Sequence, residues 1–338
     1  MTRKLKLCGV FLFSSLLFQS CFMAKQATVV RSSDIEELRN GGVVIGTEEC
    51  PKNASEELKK AIDEENEMAV EFFQKNWTFC PIIDVLPQEE AWEFVKETKG
   101  YFMLTLEDFK VQQMSHNTNP FGPIPDPYRP NMKLDYSGGA RVPGSVSYSK
   151  AVCLYIDQGL FMGGRALRFF VPFTGEEKLV NPISLQIALT DVQQKAEDIA
   201  TGELKNSFNI MGLYRERSTE IKNQTLLIPE FMMHKKIDEQ KVAKLYPYKF
   251  EICSNEKYNE VIADHTEGYV YPAVYSFPAG PFYCERLQIY SSATGKCLAL
   301  MNLPGKTGTN IAVANNEDYY ELIQLKPKQF KKAAKKLR

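Results

Sequence analysis

Apolar and polar positions follow the same order in two well-separated stretches of this chain. The first stretch runs from Gly42 to about Thr105, and the second runs from Thr225 to about Ser276. Each begins with an apolar run, continues into a charged segment with helical spacing, and then gives a short apolar strand and a second, shorter helix. The pattern predicts two copies of one β-α-β-α-β unit.

Both copies end on the same short junction between a helix and a strand. It reads Thr-Lys-Gly-Tyr at 98–101 in the first copy and Thr-Glu-Gly-Tyr at 266–269 in the second. Glycine is the usual residue where a helix ends in a left-handed backbone conformation, because it has no Cβ to clash. We therefore expect Gly100 and Gly268 to take that conformation, and the two copies to superpose strand for strand.

Further strands are predicted after each copy. Two strands are indicated at 145–157 and 165–173, and a hairpin is indicated at 286–300 that turns through 293–295. Each lobe is then β-α-β-α-β-β-β. The fold class expected is α/β, with two similar lobes from an internal duplication, each extended by antiparallel strands.

The helices have recognisable ends. The long helix of the first lobe is expected to begin with a capping box of Asn53 and Glu56. Between the lobes, Asn181-Pro182 supplies a cap and a first-turn proline, and Gly202 ends that connecting helix. Its predicted buried stripe has helical spacing and consists of Leu185, Leu189, Val192, Ala196 and Ile199.

These elements divide the chain into segments. They are a signal peptide (1–20), a tether (21–41), a first α/β lobe (42–175) with a long Pro/Gly-rich loop (107–145), a connecting helix and linker (176–224), a second α/β lobe (225–325) and a basic tail (326–338).

Regular patterning lapses over the loop from 107 to 145. Five prolines lie between positions 120 and 130, a composition that favours extended conformations. Loops of this length usually have a function or no fixed structure. Phe121, Tyr128 and Tyr136 are aromatic residues that would anchor the loop, because such side chains bury much area with few rotors. Two alternatives stay open, a strap that covers a lobe and a loop that binds a partner.

Residues 1–21 have the features of an export signal. Cations at positions 3, 4 and 6 precede an apolar run of 12 residues, which is too short to span a bilayer as a helix. A polar and a small residue then lead to Cys21. The segment resembles the lipoprotein signals of Gram-negative bacteria, in which this cysteine becomes the lipidated N-terminus of the mature chain.

The resemblance covers the signal alone and implies a lipid anchor on Cys21. In that family an acidic residue after the cysteine tends to hold the protein at the inner membrane, and here that residue is Phe22. The resemblance therefore implies the outer membrane, with the protein facing the periplasm. The alternative is an exported soluble protein whose Cys21 is not lipidated.

Charge is segregated along the chain. Of the 41 basic residues, three lie in 1–20 and seven in 326–338, which leaves 31 basic against 42 acidic residues between them, a net charge of −11. An acidic body argues against nucleic acid as a partner, whose binding depends on neutralised phosphates. For the basic tail we weigh a frayed, solubilising end against attachment to anionic headgroups.

Patterns for catalysis and metal binding are weak. Six cysteines follow Cys21 without a C-x-x-C pair, and the three histidines lack metal-ligand spacing. With the hairpin turn at 293–295, Cys297 should face a residue near 290, so a disulfide with Cys284 is not expected. No catalytic residue, metal ligand or cofactor is assigned.

The sequence therefore indicates a non-catalytic binding or scaffolding module in the cell envelope. Its partners would be the membrane, through the lipid anchor, and an envelope protein. One rival is an enzyme with a site at the strand ends of one lobe or between the lobes, where open α/β sheets place ligands. A third interpretation is a structural subunit of an envelope assembly.

Overall fold

A computed structural model gives the architecture of the chain. It describes residues 30–112, 146–156, 166–176, 179–205, 210–234, 237–279 and 282–302, together with residues 325, 327, 330, 331 and 334 near the C-terminus. The predicted signal peptide, Cys21 and the loop residues Phe121, Tyr128 and Tyr136 lie outside the described residues.

The first lobe is a five-stranded mixed sheet with helices between its parallel strands. Its elements are β1 (Gly42–Thr47), α2 (Glu56–Asn76), β2 (Ile82–Pro87), α3 (Gln88–Glu97), β3 (Tyr101–Gln112), β4 (Val146–Tyr155) and β5 (Ala166–Phe170), preceded by α1 (Ser32–Asn40). The strand order is β2-β1-β3-β4-β5. Strands β1, β2 and β3 are parallel, whereas β4 runs antiparallel to both of its neighbours.

The second lobe has the same pattern of strands. Between the lobes lie α4 (Pro182–Ala200), α5 (Ile210–Arg217) and a 3₁₀ helix (Ser218–Asn223). The second lobe then consists of β6 (Thr225–Pro229), a 3₁₀ helix (Glu230–Met232), α6 (Glu239–Leu245), β7 (Phe250–Cys253), α7 (Asn255–Ala263), β8 (Tyr269–Ala279), β9 (Phe282–Ser291) and β10 (Cys297–Asn302). Its sheet order, β7-β6-β8-β9-β10, repeats that of the first lobe, again with three parallel strands followed by two antiparallel steps.

The two lobes therefore share one strand pattern, as the sequence predicts. Both junction glycines are left-handed, with φ of 88° at Gly100 and 84° at Gly268. The residues after them begin β3 and β8 at equivalent positions, because Tyr101 pairs with Gly42 and Tyr269 pairs with Thr225. These registers allow positions of one sheet to be matched to positions of the other.

Helix α4 lies between the two lobes and packs against both. It contacts β4 and β5 of the first sheet and α7 of the second lobe. All five residues of its predicted stripe are buried, and so are Ile187, Ala188, Asp191 and Asp198. Apolar residues of both lobes consequently belong to one continuous core, which includes Val43 as well as Tyr271.

Aromatic rings line this junction between the lobes. Phe169 of β5 lies 4.7 Å from Tyr275 of β8, and Tyr290 of β9 stacks on Tyr271 at 5.6 Å. Tyr258 of α7 meets Tyr271 edge-on at 6.0 Å. Such pairs stabilise beyond the area they bury, and the pair of Phe169 and Tyr275 joins the two lobes directly.

Several elements differ in extent from the sequence prediction. Residues 32–40 of the predicted tether form α1, because Ile35 and Leu38 are spaced to share one face and are fully buried. The loop expected from 107 begins later, since β3 continues to Gln112. Helix α2 is capped by Ser55 rather than by Asn53, with the Ser55 hydroxyl accepting a bond from the Leu58 amide.

Candidate functional site

Three neighbouring strands of the first sheet bring Glu107, Tyr155 and Arg168 together. Side chains alternate between the two faces of a strand, so the register decides which residues are neighbours. Glu107 of β3 lies opposite Ala151 of β4, and Arg168 of β5 lies opposite Cys153, two residues from Tyr155. All of them share one face of the sheet. We call Glu107, Tyr155 and Arg168 the charged trio.

A single hydroxyl links the two charges of the trio. Tyr155 donates a hydrogen bond to Glu107 Oε2 and accepts one of 3.1 Å from Arg168 Nη2. The Arg168 guanidinium also lies over the Tyr155 ring, 5.1 Å from its centroid. The phenol thus bridges a carboxylate and a cation that are both only half buried, while it is itself buried.

Burial controls the protonation of this cluster. Burial raises the pKa of the Tyr155 hydroxyl, and the neighbouring thiol and carboxylate raise it further while Arg168 opposes them. Burial also raises the pKa of the thiol of Cys153, which lies two residues before Tyr155 on the same face of β4. Tyr155 therefore keeps its proton and acts as a hydrogen-bond donor, and Cys153 is a thiol rather than a nucleophilic thiolate.

The trio has apolar and aromatic neighbours on either side. Trp92 of α3 packs edge-on against Tyr155 with ring centroids 4.9 Å apart. On the other side, Tyr275 of the second lobe stacks parallel to Phe170 of β5 at 6.4 Å. Polar groups in such a setting interact more strongly than in water, so they hold a fixed arrangement.

The opposite face of the same two strands carries another charged group. Lys150 of β4 pairs directly with Asp108 of β3, at 2.8 Å between Nζ and Oδ1, and also pairs with Glu65 of α2. Burial lowers the pKa of Lys150, but the two carboxylates outweigh it and the pKa is raised overall. Charged contacts therefore join β3 to its neighbours on both faces of the sheet, within five residues of the end of β3 at Gln112.

The position of the trio agrees with the topology of the sheet. In a strand order of 2-1-3-4-5, ligands bind beyond the carboxyl ends of the strands, where β1 and β3 are neighbours. There the Thr47 hydroxyl donates to the Leu86 carbonyl, and Asn66 exchanges two 2.9 Å bonds with the backbone of Glu48. Glu107 lies further along β3, beyond its last paired residue with β1, Thr105.

The matched positions in the second lobe are filled differently. Met103 and Tyr271 are matched, because each is the third residue of its strand, β3 or β8. Tyr155 pairs with Met103 and Tyr290 pairs with Tyr271, so the two tyrosines correspond. By the same registers Glu107 corresponds to Tyr275 and Arg168 to Leu300. The tyrosine is common to both lobes, whereas the two charges occur only in the first.

In the second lobe the tyrosine bonds to the shared helix α4. The Tyr290 hydroxyl lies 2.9 Å from Asp191 Oδ1 and 2.6 Å from Gln288 Oε1, so its one proton serves two acceptors. Lys195 pairs with Asp191 at 2.5 Å. Burial raises the pKa of Asp191, opposed by Lys195. This buried cluster joins the lobes and is closed to ligands by the helix itself.

Other candidate chemistry is scattered. Among the described residues no group of three or more His, Cys, Asp or Glu residues could hold a metal ion. Cys50, Cys80, Cys153, Cys253 and Cys297 are free thiols, and burial raises the pKa of Cys80 and of Cys253 to about 11. Cys297 lies opposite Tyr290, which confirms the predicted register of the hairpin. Of the histidines, His265 is exposed on the turn after α7, and His116 lies outside the described residues.

No relative is found. Comparison of the chain with protein-family models, with curated proteins and with solved structures gives no match. Among the described helices, none is long and apolar enough to cross a membrane. The chemistry of the trio therefore has to be inferred from its own residues.

Sequence reasoning did not find the trio. Its candidate contacts, Phe121, Tyr128 and Tyr136, belong to the segment that follows β3 and lie outside the described residues. One signal points to the trio, because Arg168 is a lone cation in the apolar run Ala-Leu-Arg-Phe-Phe of β5. A charge inside an apolar strand needs a partner.

Proposed function

We propose that this protein is an exported lipoprotein that serves as a non-catalytic binding or scaffolding module of the cell envelope. Acyl chains on Cys21 anchor it in the outer membrane, facing the periplasm. The first lobe binds an envelope protein through the segment 113–145 and its aromatic residues Phe121, Tyr128 and Tyr136. The second lobe and α4 hold the first lobe in shape.

One observation carries this proposal, a difference in length between matched hairpins. In the first lobe, 33 residues separate the end of β3 at Gln112 from the start of β4 at Val146. In the second lobe, only Gly280 and Pro281 separate β8 from β9. Since two residues suffice to close this hairpin, the fold of the unit does not require the longer segment, and a role in binding accounts for it.

The charged trio supports the same proposal. It lies at the base of the longer hairpin, on positions that the second lobe fills with Tyr275 and Leu300. Glu107 and Arg168 are half buried and offer a carboxylate and a guanidinium in a fixed geometry, which suits polar contacts at the rim of an interface.

A hairpin exchange tests the proposal. In one variant, residues 113–145 are replaced by the two residues Gly-Pro that separate β8 from β9. In the natural chain, a photo-reactive residue in place of Tyr128 reports envelope proteins that crosslink to it in intact cells. The same photo-reactive residue at Lys60, exposed on α2, is the matched control. We expect the exchanged chain to keep its melting temperature, and Tyr128 to capture a protein that Lys60 does not.

The aromatic residues are tested separately by replacing Phe121, Tyr128 and Tyr136 together with Ser. Loss of capture at an unchanged melting temperature supports a binding loop. A lower melting temperature in this variant, or in the exchanged chain, identifies the segment as a strap and overturns the proposal. Anchoring has its own test, in which Cys21→Ser should abolish acyl labelling and move the protein out of the membrane fraction.

The rival function is an enzyme whose site includes the trio. The observation that favours it is the protonated Tyr155 between a carboxylate and a cation, near the carboxyl end of a parallel strand. A small-molecule substrate would raise the melting temperature by binding the folded state. Such a shift, lost in Arg168→Met and retained in Lys60→Gln, would favour the enzyme over the binding module.

A further inference from the structure

We propose that the first lobe binds an extended segment of its partner protein in the crevice beyond the carboxyl ends of β1 and β3. The bound segment carries a basic residue, a glycine two positions later and an aromatic residue directly after the glycine. The inference deepens the proposed function and rests on it, because it names the chemistry of the partner. It comes from the matched crevice of the second lobe, which is filled by an extended segment of this chain.

Residues 173–176, which follow β5 of the first lobe, fill the strand-end crevice of the second lobe. We call them the crossing segment. The Phe173 amide donates a 3.1 Å hydrogen bond to the Val274 carbonyl of β8, and the two residues form an antiparallel bridge. The Phe173 ring meets the Phe231 ring edge-on at 5.5 Å. This is strand addition at a sheet edge, in which backbone bonds give affinity and side chains give specificity.

Two amide side chains hold the other end of the crossing segment. Asn255, the first residue of α7, donates a 3.4 Å bond to the Gly175 carbonyl. Asn259 donates a 2.7 Å bond to Glu176 Oε1. Gly175 is left-handed, with φ of 84°, and a Cβ there would come within 2.6 Å of Asn255 and of Phe231. The close approach of the backbone therefore requires glycine.

The first lobe has the matched crevice, and no described segment fills it. Leu106 of β3 matches Val274 of β8, because each lies five residues after the matched Tyr101 or Tyr269. Within the described part of the chain, nothing pairs with β3 on its β1 side beyond Thr105. The Leu106 carbonyl accepts a long, 3.4 Å bond from the adjacent Thr105 hydroxyl. An incoming backbone amide can replace that bond with a better one, as happens at Val274.

Three pairs of side chains around the two crevices occupy equivalent positions, counted from the first residue of the matched strand or helix. The pairs are Glu48 and Phe231, Gln88 and Asn255, and Trp92 and Asn259. Gln88 is the first residue of α3, as Asn255 is of α7, so an amide for the glycine carbonyl is present in both lobes. The other two pairs differ in chemistry, and they define what the first lobe selects.

Glu48 determines the residue that takes the place of Phe173. In the second lobe this residue meets the ring of Phe231, whereas the first lobe has the Glu48 carboxylate at that position. Asn66 holds Glu48 there through two 2.9 Å bonds with its backbone. Because a carboxylate binds a cation through a charge-assisted hydrogen bond, the incoming segment carries Lys or Arg at this point.

Trp92 determines the residue after the glycine. It lies at the position of Asn259, whose amide binds the Glu176 carboxylate in the second lobe. The Trp92 indole is half buried and packs edge-on against Tyr155 at 4.9 Å. A second ring extends this aromatic contact, whereas a carboxylate would lose the amide that Asn259 supplies. The incoming segment therefore carries an aromatic residue here.

The probe is a fluorescent peptide, Val-Pro-Arg-Thr-Gly-Tyr, which has the sequence of residues 171–176 with the two exchanges argued above. Fluorescence anisotropy measures its binding to the full chain. We expect binding at least about tenfold tighter than that of the natural sequence, Val-Pro-Phe-Thr-Gly-Glu. Valine in place of the glycine of the probe should abolish binding. Equal binding of the three peptides, or binding of none, would overturn the proposal.

Matched variants of the chain locate the site. Glu48→Gln should weaken binding of the arginine peptide by roughly tenfold, because a hydrogen bond to a charged group is lost. Glu64→Gln removes the same charge from α2, where Glu64 is 54% exposed, and should change binding little. A photo-reactive ring in place of the tyrosine of the peptide should crosslink to the first lobe. Equal effects of the two variants, or crosslinks confined to the second lobe, would overturn the proposal.

Other occupants of the crevice give different results. If the peptide binds the hairpin-exchanged chain and not the natural chain, the chain's own segment 113–145 fills the crevice. Self-association of the natural chain that the peptide abolishes would identify a second copy as the occupant. Either result would overturn the assignment to a partner protein.

Failure of the proposed function is distinguishable from failure of this site, because capture at Tyr128 does not use the peptide. A chain that binds the peptide and captures no protein at Tyr128 would contradict the loop as the contact and leave the crevice as a peptide site. Capture at Tyr128 without peptide binding would do the reverse.

Discussion

The two lobes are built on one pattern, yet they differ at the hairpin that follows the last parallel strand. In the second lobe that hairpin closes in two residues, and its tyrosine, Tyr290, is buried against Asp191 of the shared helix. In the first lobe the hairpin is interrupted by 33 residues, and the matched Tyr155 bonds to half-buried charges. The second lobe shows what the unit needs in order to fold.

The difference indicates how a duplicated unit can divide its tasks. Helix α4 covers the face of the second sheet on which Tyr290 lies. In the first lobe it packs on the face opposite to Tyr155, where Lys195 Nζ lies 5.2 Å from the ring centroid of Phe169. The tyrosine face of the first sheet is thereby left for contacts other than α4. We infer that the first lobe interacts and the second supports.

The largest expected difference concerns the two matched tyrosines. Tyr290→Phe should lower the free energy of unfolding by about 2–3 kcal/mol, because it removes the donor shared by two buried acceptors, Asp191 Oδ1 and Gln288 Oε1. Tyr155→Phe should cost only about 1 kcal/mol, because water can reach Glu107 and Arg168. Urea unfolding of both variants measures the difference.

A third tyrosine provides the control. The Tyr246 hydroxyl is buried without a hydrogen-bond partner among the described residues, so Tyr246→Phe should leave stability unchanged or raise it. Equal losses at positions 155 and 290 would show that the two lobes do not differ in this way, and the division of tasks inferred above would fail.

The junction glycines give the next largest effect and test the likeness of the lobes. Gly100→Val and Gly268→Val should each cost about 1–2 kcal/mol, because both backbones are left-handed. An added Cβ at Gly268 would meet no described atom within 4 Å, so backbone strain alone should set the cost there. Thermal melts that show a loss at one glycine and none at the other would break the equivalence.

A helical glycine with an ordinary φ serves as the opposite case. Gly212 of α5 has open space where a Cβ would lie, and its φ is not positive. Gly212→Ala should therefore stabilise by roughly 0.5–1 kcal/mol, since alanine loses less backbone entropy in a helix. The same thermal melts measure this gain.

The last comparison concerns the caps of α2 and α6, whose contributions to stability should depend differently on pH. Helix α2 is capped by the hydroxyl of Ser55, so Ser55→Ala should cost about 1 kcal/mol at any pH. Helix α6 is capped by Asp238, whose pKa is lowered by its bond from the Lys241 amide. A lowered pKa means that the cap stabilises above the ordinary carboxyl pKa and stops doing so as the pH falls through the folded value.

The loss caused by Asp238→Ala should accordingly shrink below about pH 4, whereas the loss caused by Ser55→Ala should not. Urea midpoints at about pH 5 and about pH 3 measure both. A constant loss for Asp238→Ala across that window would mean that its carboxylate does not cap the helix.

Local signals predicted most of the fold. The apolar spacing, the caps and the repeated Thr-x-Gly-Tyr junction each act within a few residues, and they located the strands, α4 and the left-handed Gly100 and Gly268. Local signals gave the wrong prediction where contacts between distant parts of the chain determine the structure. The polar 32–40 segment became a helix because Ile35 and Leu38 are buried by elements far along the chain.

The candidate site could not be predicted in the same way. Glu107 and Arg168 become neighbours of Tyr155 only when three strands take one register, and a shift of one residue would place them on opposite faces. The C-terminal segment shows a related difficulty. Its seven cations suggested an exposed end, yet Phe330 and Ala334 are buried. Two apolar residues four positions apart are too weak a signal to predict that burial from the sequence.

The position of α4 between two sheets has a consequence for how the molecule assembles. Its residues 182–200 follow every described strand of the first lobe and precede every described strand of the second. A chain made from its N-terminus can therefore complete the first sheet and cover it with α4 before β6 exists, since early segments fold first. The second sheet then forms on a helix already in place, so we expect the second lobe to fold after the first.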